Sequence, residues 1–181
     1  METLMTPEQA RDKARSLFLS GYNCAQSVIG TFCEQLGVDF DATVRLAQPF
    51  GGGMGRMREV CGTVSGMLMA LGIAAGSSDA ADKKTKDAVY ALVQELSGRF
   101  RSQNGSIICR ELLGLVPLGQ SEHALDAAVQ QDSSPSDIRS PVSSERTADY
   151  YKKRPCASLC GDAAEIFQTW YIAAENTGER Q

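Results

Sequence analysis

A single histidine, a single tryptophan and only six prolines occur among 181 residues. The histidine, His123, lies in a Ser-, Asp- and Gln-rich stretch and reads as a solvated surface residue. Cys/His zinc sites and Cys–His nucleophilic pairs are thereby set aside. No C-x2-C pair, C-x-x-C-H motif or ferredoxin-type cysteine run is present, so no haem is expected and no metal can be named from local spacing. Positive charge is not in excess: 18 Lys and Arg stand against 22 Asp and Glu, for a net charge of −4. That is the wrong sign for binding nucleic acid by phosphate neutralisation. The short Lys83-Lys84-Thr85-Lys86 run reads as a solvated helix face. Long apolar runs are missing too. The least polar stretch, Val60 to Ala75, contains Cys61, Thr63, Ser65 and three glycines. It is shorter than the ~20 residues a span requires, so no membrane insertion is expected. The first residues, Met-Glu-Thr-Leu-Met-Thr-Pro-Glu, contain no apolar signal region. A cytoplasmic, thiol-reducing location is the expectation, and six cysteines there ask for chemistry more than for disulfide staples.

Strand-period alternation is also lacking, and what remains is helical periodicity. Thr6-Pro7-Glu8 predicts a capped helix to about Leu19. Gly21 breaks it, Asn23 caps a second helix, and Ala25, Val28, Ile29, Phe32, Cys33 and Leu36 form its apolar stripe up to Gly37. A short helix over 42–47 ends at Pro49, before the loop Gly51-Gly52-Gly53-Met54-Gly55. The Gly-, Ala- and Met-rich segment 60–75 reads as a buried central helix. Residues 79–101 predict an amphipathic helix with Val89, Leu92, Val93, Leu96 and Phe100 on one face, and a helical turn covers 109–113. From about 117 to 149 apolar periodicity fades into a polar surface insertion with one helical turn at Glu122–Val129. Pro155 opens a last helix with Leu159, Ala163, Ile166, Phe167 and Trp170 inward. The expectation is one all-α domain over 1–181, a compact helical bundle of about five to seven helices.

Four cysteines from four distant segments, Cys24, Cys61, Cys109 and Cys156, each fall near a predicted helix start, three of them close to Arg or Lys. Unpaired N–H groups, the helix dipole and nearby cations all favour negative charge, and so predict lowered thiol pKa values and populated thiolate. Thiolate is the form that ligates soft metals and attacks disulfides. Cys33 sits in an apolar stripe and reads as structural. Cys160 follows Cys156 by one helical turn and is either core packing, a supplementary ligand or a resolving thiol. The glycine loop is neither a Walker A loop nor a dinucleotide fingerprint, so no nucleotide is expected. Close backbone approach to Cys61 or to a bound cluster explains it better, and makes Gly52, Gly53, Gly55, Gly62 and Gly66 the cofactor-lining candidates. Met54, Met57, Met67 and Met69 surround the loop and read as core filling, with thioethers available to a soft metal.

Gly21-Tyr22-Asn23-Cys24-Ala25-Gln26-Ser27-Val28, Phe50-Gly51-Gly52-Gly53-Met54-Gly55 and Cys61-Gly62-Thr63-Val64-Ser65-Gly66 resemble the "putative redox-active protein" family named for its C_GCAxxG_C_C cysteine pattern. Cys109-Arg110-Glu111-Leu112-Leu113-Gly114 and the segment Lys153 to Ala164 resemble its later cysteine blocks. The resemblance implies Cys24, Cys61, Cys109 and Cys156 as the family cysteines, with the Pro155–Cys156 helix start favouring Cys156 over Cys160. Thr63 stands where the family has alanine, and the 117–149 insertion lengthens the chain beyond typical members. It implies redox activity, with an iron–sulfur or similar prosthetic group, and names no substrate.

Three readings follow. In the first, the four thiolates hold an iron–sulfur cluster or another thiophilic metal for electron transfer or redox sensing with a redox partner protein. In the second, two of the cysteines cycle as a thiol–disulfide oxidoreductase. In the third, a helical scaffold carries inert thiols. Oligomeric state is left open.

Overall fold

The computed structural model describes residues 4–119 and 140–178. The expected turn at Glu122–Val129 and His123 lie outside the described residues. Capping chemistry sets the first two helices. Thr6 Oγ1 accepts from the Gln9 amide while the Gln9 side chain accepts from the Thr6 amide, and Pro7 opens α1 (Pro7–Leu19). Asn23 and Gln26 repeat the same reciprocal cap at α2 (Cys24–Phe32). Further along come α3 (Phe40–Ala47), α4 (Gly62–Ala75), α5 (Lys83–Asn104), α6 (Cys109–Leu112), α7 (Ala148–Lys153) and α8 (Cys156–Thr177). These 8 helices make the protein all-α, and no strand occurs among the described residues. The count exceeds the expected five to seven because of two short helices, α6 and α7. None of the described helices is long and apolar enough to cross a membrane.

Helices α1 and α8 lie along each other, and α2 is enclosed by α1, α3, α4 and α8. The most completely buried position belongs to α2, where every residue except Gln26 is buried. Two polar side chains had disguised it: Ser27 Oγ donates to Asn23 O (2.7 Å) and Thr31 Oγ1 to Ser27 O (2.8 Å), so both hydroxyls enter the core satisfied. The 60–75 helix, α4, is buried on one side only, with Gly72 and Ile73 exposed. Phe18, Phe32, Phe100 and Phe167 fill the core, with the Phe32 and Phe167 ring centroids 4.5 Å apart. On α5 only Leu96 and Phe100 are fully buried; Val89, Leu92 and Val93 are half-buried. At 1.5 Å per residue this 22-residue helix reaches about 33 Å, far beyond the 14-residue α4 that it packs on.

Glycines set how closely α4 meets α2. A Cβ on Gly66 would lie 2.6 Å from Ala25 O and 3.0 Å from Val28 Cβ, whereas one on Gly72 would meet nothing within 4 Å. Gly66→Ala is therefore expected to cost about 1–3 kcal/mol by overpacking. Gly72→Ala, in the same helix, should stabilise by about 0.5–1 kcal/mol through helix propensity. Urea denaturation followed by far-UV circular dichroism checks both, and equal shifts in the two variants would refute the close-approach explanation.

Candidate functional site

Local geometry places each of the four cysteines at a helix start. Cys24 is the first residue of α2, and the Asn23 side-chain amide that caps it also donates to Gln48 O (2.9 Å), tying α2 to the approach to the glycine turn. Cys61 is the N-cap of α4, and Gly62 lets that helix begin against α2: a Cβ there would sit 2.8 Å from Phe50 O and 3.1 Å from Cys24 Cβ. An antiparallel bridge between Val60 and Ile108 then brings Cys109 alongside. Its hydrogen bonds run from the Cys61 amide to Ile107 O (2.8 Å) and from the Cys109 amide to Glu59 O (2.7 Å). Cys109 begins α6, and Cys156 begins α8 after Pro155.

The chain between α3 and α4 reverses tightly through a turn at 51–58. Met54, Arg56 and Arg58 are left-handed, at φ 62°, 68° and 65°, a conformation that side chains with a Cβ disfavour. Gly53 is left-handed as well, and a Cβ on it would lie 2.5 Å from Cys109 Cβ, so this turn is pressed directly onto a cysteine. Such concentrated strain needs surrounding contacts to hold it and is typical of functional sites.

The four cysteines line one chamber of about 320 Å³. Gly52, Gly53, Gly55 and Gly62 also line it; Gly66 does not, serving the α2–α4 contact instead. Its remaining walls include Arg56, Arg58, Arg146, Arg154 and Tyr150. Among the described residues no Asp, Glu or His side chain lines it. The cysteines are all free and buried, and no three His, Cys, Asp or Glu among the described residues are gathered in an arrangement that could hold a metal ion.

The predicted lowering of the thiol pKa values is overturned. Burial, and then the neighbouring Cys109, push the Cys61 thiol up to about 12. Cys109 is raised by burial against the opposing pull of Arg58, and Cys160 is raised by burial. Cys156 is raised by its hydrogen bond to Cys24 and by burial. Cys24 is raised too: the hydrogen bond from Cys156 favours its thiolate, but contact with Cys160 and burial outweigh it. The helix starts exist as expected. Their partial charges do not offset removal of the sulfur from water, and α6, with only four residues, has little dipole to offer.

Not every neighbour predicted from the sequence reaches the site. Arg110, adjacent to Cys109, pairs with Glu59 (2.8 Å) and does not line the chamber. Met54 and Met57 are 40% and 52% exposed, so they do not fill the core, and no methionine lines the chamber. Cys33 is buried apart, with its thiol 3.6 Å from Ile29 O. Cys160 lies behind Cys24, its thiol directed at Cys24 O (3.8 Å), and does not line the chamber. Thr63 places its hydroxyl 3.1 Å from the Cys61 sulfur.

Arg146 and Tyr150 were missed because they fall in or beside the polar segment read as an insertion. Within it, residues 140–147 are built against the site. Arg56 Nε donates to Ser140 O (2.7 Å), and the Arg146 guanidinium donates to Phe18 O and Tyr22 O at the end of α1 (3.1 Å each). That guanidinium stacks 4.5 Å from the Phe18 ring centroid. One signal was available: Thr147 caps α7 by accepting from the Tyr150 amide, an N-cap pattern hidden in a Ser- and Asp-rich context.

The family model described as "Putative redox-active protein (C_GCAxxG_C_C)" matches residues 22–170. The chain belongs to this family. No curated protein and no solved structure matches it. In this C_GCAxxG_C_C protein the matched span contains all four chamber cysteines, and α1 lies wholly outside it.

Alkylation tests the electrostatic result. With its pKa near 12, Cys61 holds about a thousandfold less thiolate at pH 8 than an ordinary thiol. Iodoacetamide labelling of the reduced, metal-free native protein at pH 8, read residue by residue by mass spectrometry, should therefore be slower at Cys61 by at least about a hundredfold than in urea. Rapid native labelling would restore the activated-thiolate expectation.

Proposed function

We propose that this C_GCAxxG_C_C protein is a redox protein in which Cys24, Cys61, Cys109 and Cys156 hold an iron–sulfur cluster or another thiophilic metal. The observation that carries this is the convergence of these four side chains, from four distant segments, on one chamber. The donor chemistry fits. The chamber offers sulfur without carboxylate or imidazole among the described residues, a set that selects thiophilic centres. When bound, the group supplies one-electron transfer.

The residues around it have definable parts. The four cysteines are themselves buried, and the backbone at Gly53 and Gly62 comes close because no Cβ intervenes. Thr63 directs its hydroxyl at the Cys61 sulfur, supplying a hydrogen bond of the kind that tunes ligated thiolates. Cys156 takes the fourth position in preference to Cys160, since Cys156 faces the chamber and Cys160 stands behind Cys24. Raised thiol pKa values, with no histidine lining the chamber among the described residues, argue against a nucleophilic disulfide exchanger. Six free thiols suit a reducing cytoplasm, and electrons would pass to or from a partner protein docking near the chamber.

Anaerobic reconstitution with iron and sulfide should yield stoichiometric iron, acid-labile sulfide and visible charge-transfer absorption. Serine at position 24, 61, 109 or 156 is expected to remove most of this signal, while Cys33→Ser and Cys160→Ser retain it. Failure of the wild-type protein to retain iron, cobalt or zinc above background would end the proposal.

A further inference from the structure

The proposal above uses the thiols and leaves the arginines without a role. Four of them, Arg56, Arg58, Arg146 and Arg154, line the same chamber. Arg58 is 2% exposed and its side chain hydrogen-bonds the Cys109 thiol. The Arg154 guanidinium stands 4.8 Å over the Tyr150 ring and forms no ion pair with a described residue. Arg146 directs its two terminal nitrogens at the backbone carbonyls of Phe18 and Tyr22, which are neutral, so its charge is not cancelled there. No carboxylate among the described residues lines the chamber.

A half-enclosed chamber whose wall presents the Arg146 and Arg154 guanidiniums attracts an anion, and guanidinium forks match the oxygens of an oxyanion in geometry as well as sign. Tyr150 stacking fixes the plane of Arg154, lowering the ordering cost of using it as a donor. We infer that the chamber binds a small inorganic oxyanion, of the sulfate or phosphate class, on Arg154 and Arg146 beside the four thiols. The binding site needs no metal; it rests on the four-thiol reading only for the consequence that an oxyanion admitted there is delivered to the redox centre. The C_GCAxxG_C_C protein would thus select anionic small molecules as the species that meet its sulfur centre.

Calorimetric titration of the reduced, metal-free full chain tests this. Sodium sulfate and sodium phosphate are titrated separately, with ionic strength held constant by sodium chloride. One saturable site is expected for each anion. Arg154→Gln should weaken it by at least about tenfold, the loss expected for a charged hydrogen bond. Arg146→Gln, the second ligand, serves if the first variant does not fold, with the same expectation. Absence of saturable binding beyond that of chloride, or unchanged affinity in a folded arginine variant, overturns the inference. Iron and sulfide loading of the wild-type protein is measured separately. Loss of loading with anion binding intact condemns the metal centre alone, and the reverse condemns the anion site alone.

Discussion

Two backbone hydrogen bonds hold the site together: Cys61 to Ile107 and Cys109 to Glu59. Nothing in an all-helical bundle obliges a loop after α3 to meet a loop after α5. This antiparallel bridge makes them meet, and by pairing Val60 with Ile108 it fixes the cysteines on both sides in register. The remaining contacts follow from it. Once the 59–61 segment is anchored, the turn at 51–58 must fold back tightly enough to bring Gly53 against Cys109, which explains the left-handed residues there. Gly62 then starts α4 in contact with Cys24, closing the connection between α2 and the bridge.

The electrostatics follow from the same enclosure. A helix terminus contributes about 0.3–1 kcal/mol towards a nearby negative charge, and up to about 2 in favourable geometry. Moving Cys61 from its ordinary 9.0 to about 12 corresponds to about 4 kcal/mol in the opposite direction. Burial wins. Under the proposed metal-centre reading, ionising these buried thiols together would require a cation that displaces their protons, a different logic from that of an oxidoreductase with one exposed, activated cysteine.

Helix identity was legible in the sequence wherever capping chemistry was explicit. Thr6-Pro7 and Asn23 marked the starts of α1 and α2, and Gly105 ended α5 one residue after Asn104. The fold class and the four cysteines at helix starts followed from the same patterns. Three things were hidden. Ser27 and Thr31 made α2 look half polar, since hydroxyls that bond back to their own helix are indistinguishable from solvated ones in a sequence. The direction of the thiol pKa values depends on burial, which periodicity does not report for residues at element ends. Charge adjacency also misled: Arg110 neighbours Cys109 in sequence yet pairs with Glu59, while Arg146, ten residues from the nearest cysteine in sequence, reaches the chamber.

Arg146 shows why the polar segment around it belongs to the site. Its guanidinium occupies the space over Phe18, accepted there because the aromatic face and two α1-end carbonyls together replace water for a partly buried cation. Tyr151 adds a hydroxyl bond to Leu19 O (3.4 Å), so α7 is fastened to the end of α1 at two points. The segment thus packs on the end of α1 and at the same time carries Arg146, Tyr150 and Arg154 onto the chamber wall. A stretch lacking apolar periodicity can be structurally committed in this way, because its binding energy resides in cation–carbonyl and cation–ring contacts and needs no hydrophobic stripe. The Arg146 side of the chamber wall is consequently supplied by the part of the chain that looked least like a functional element.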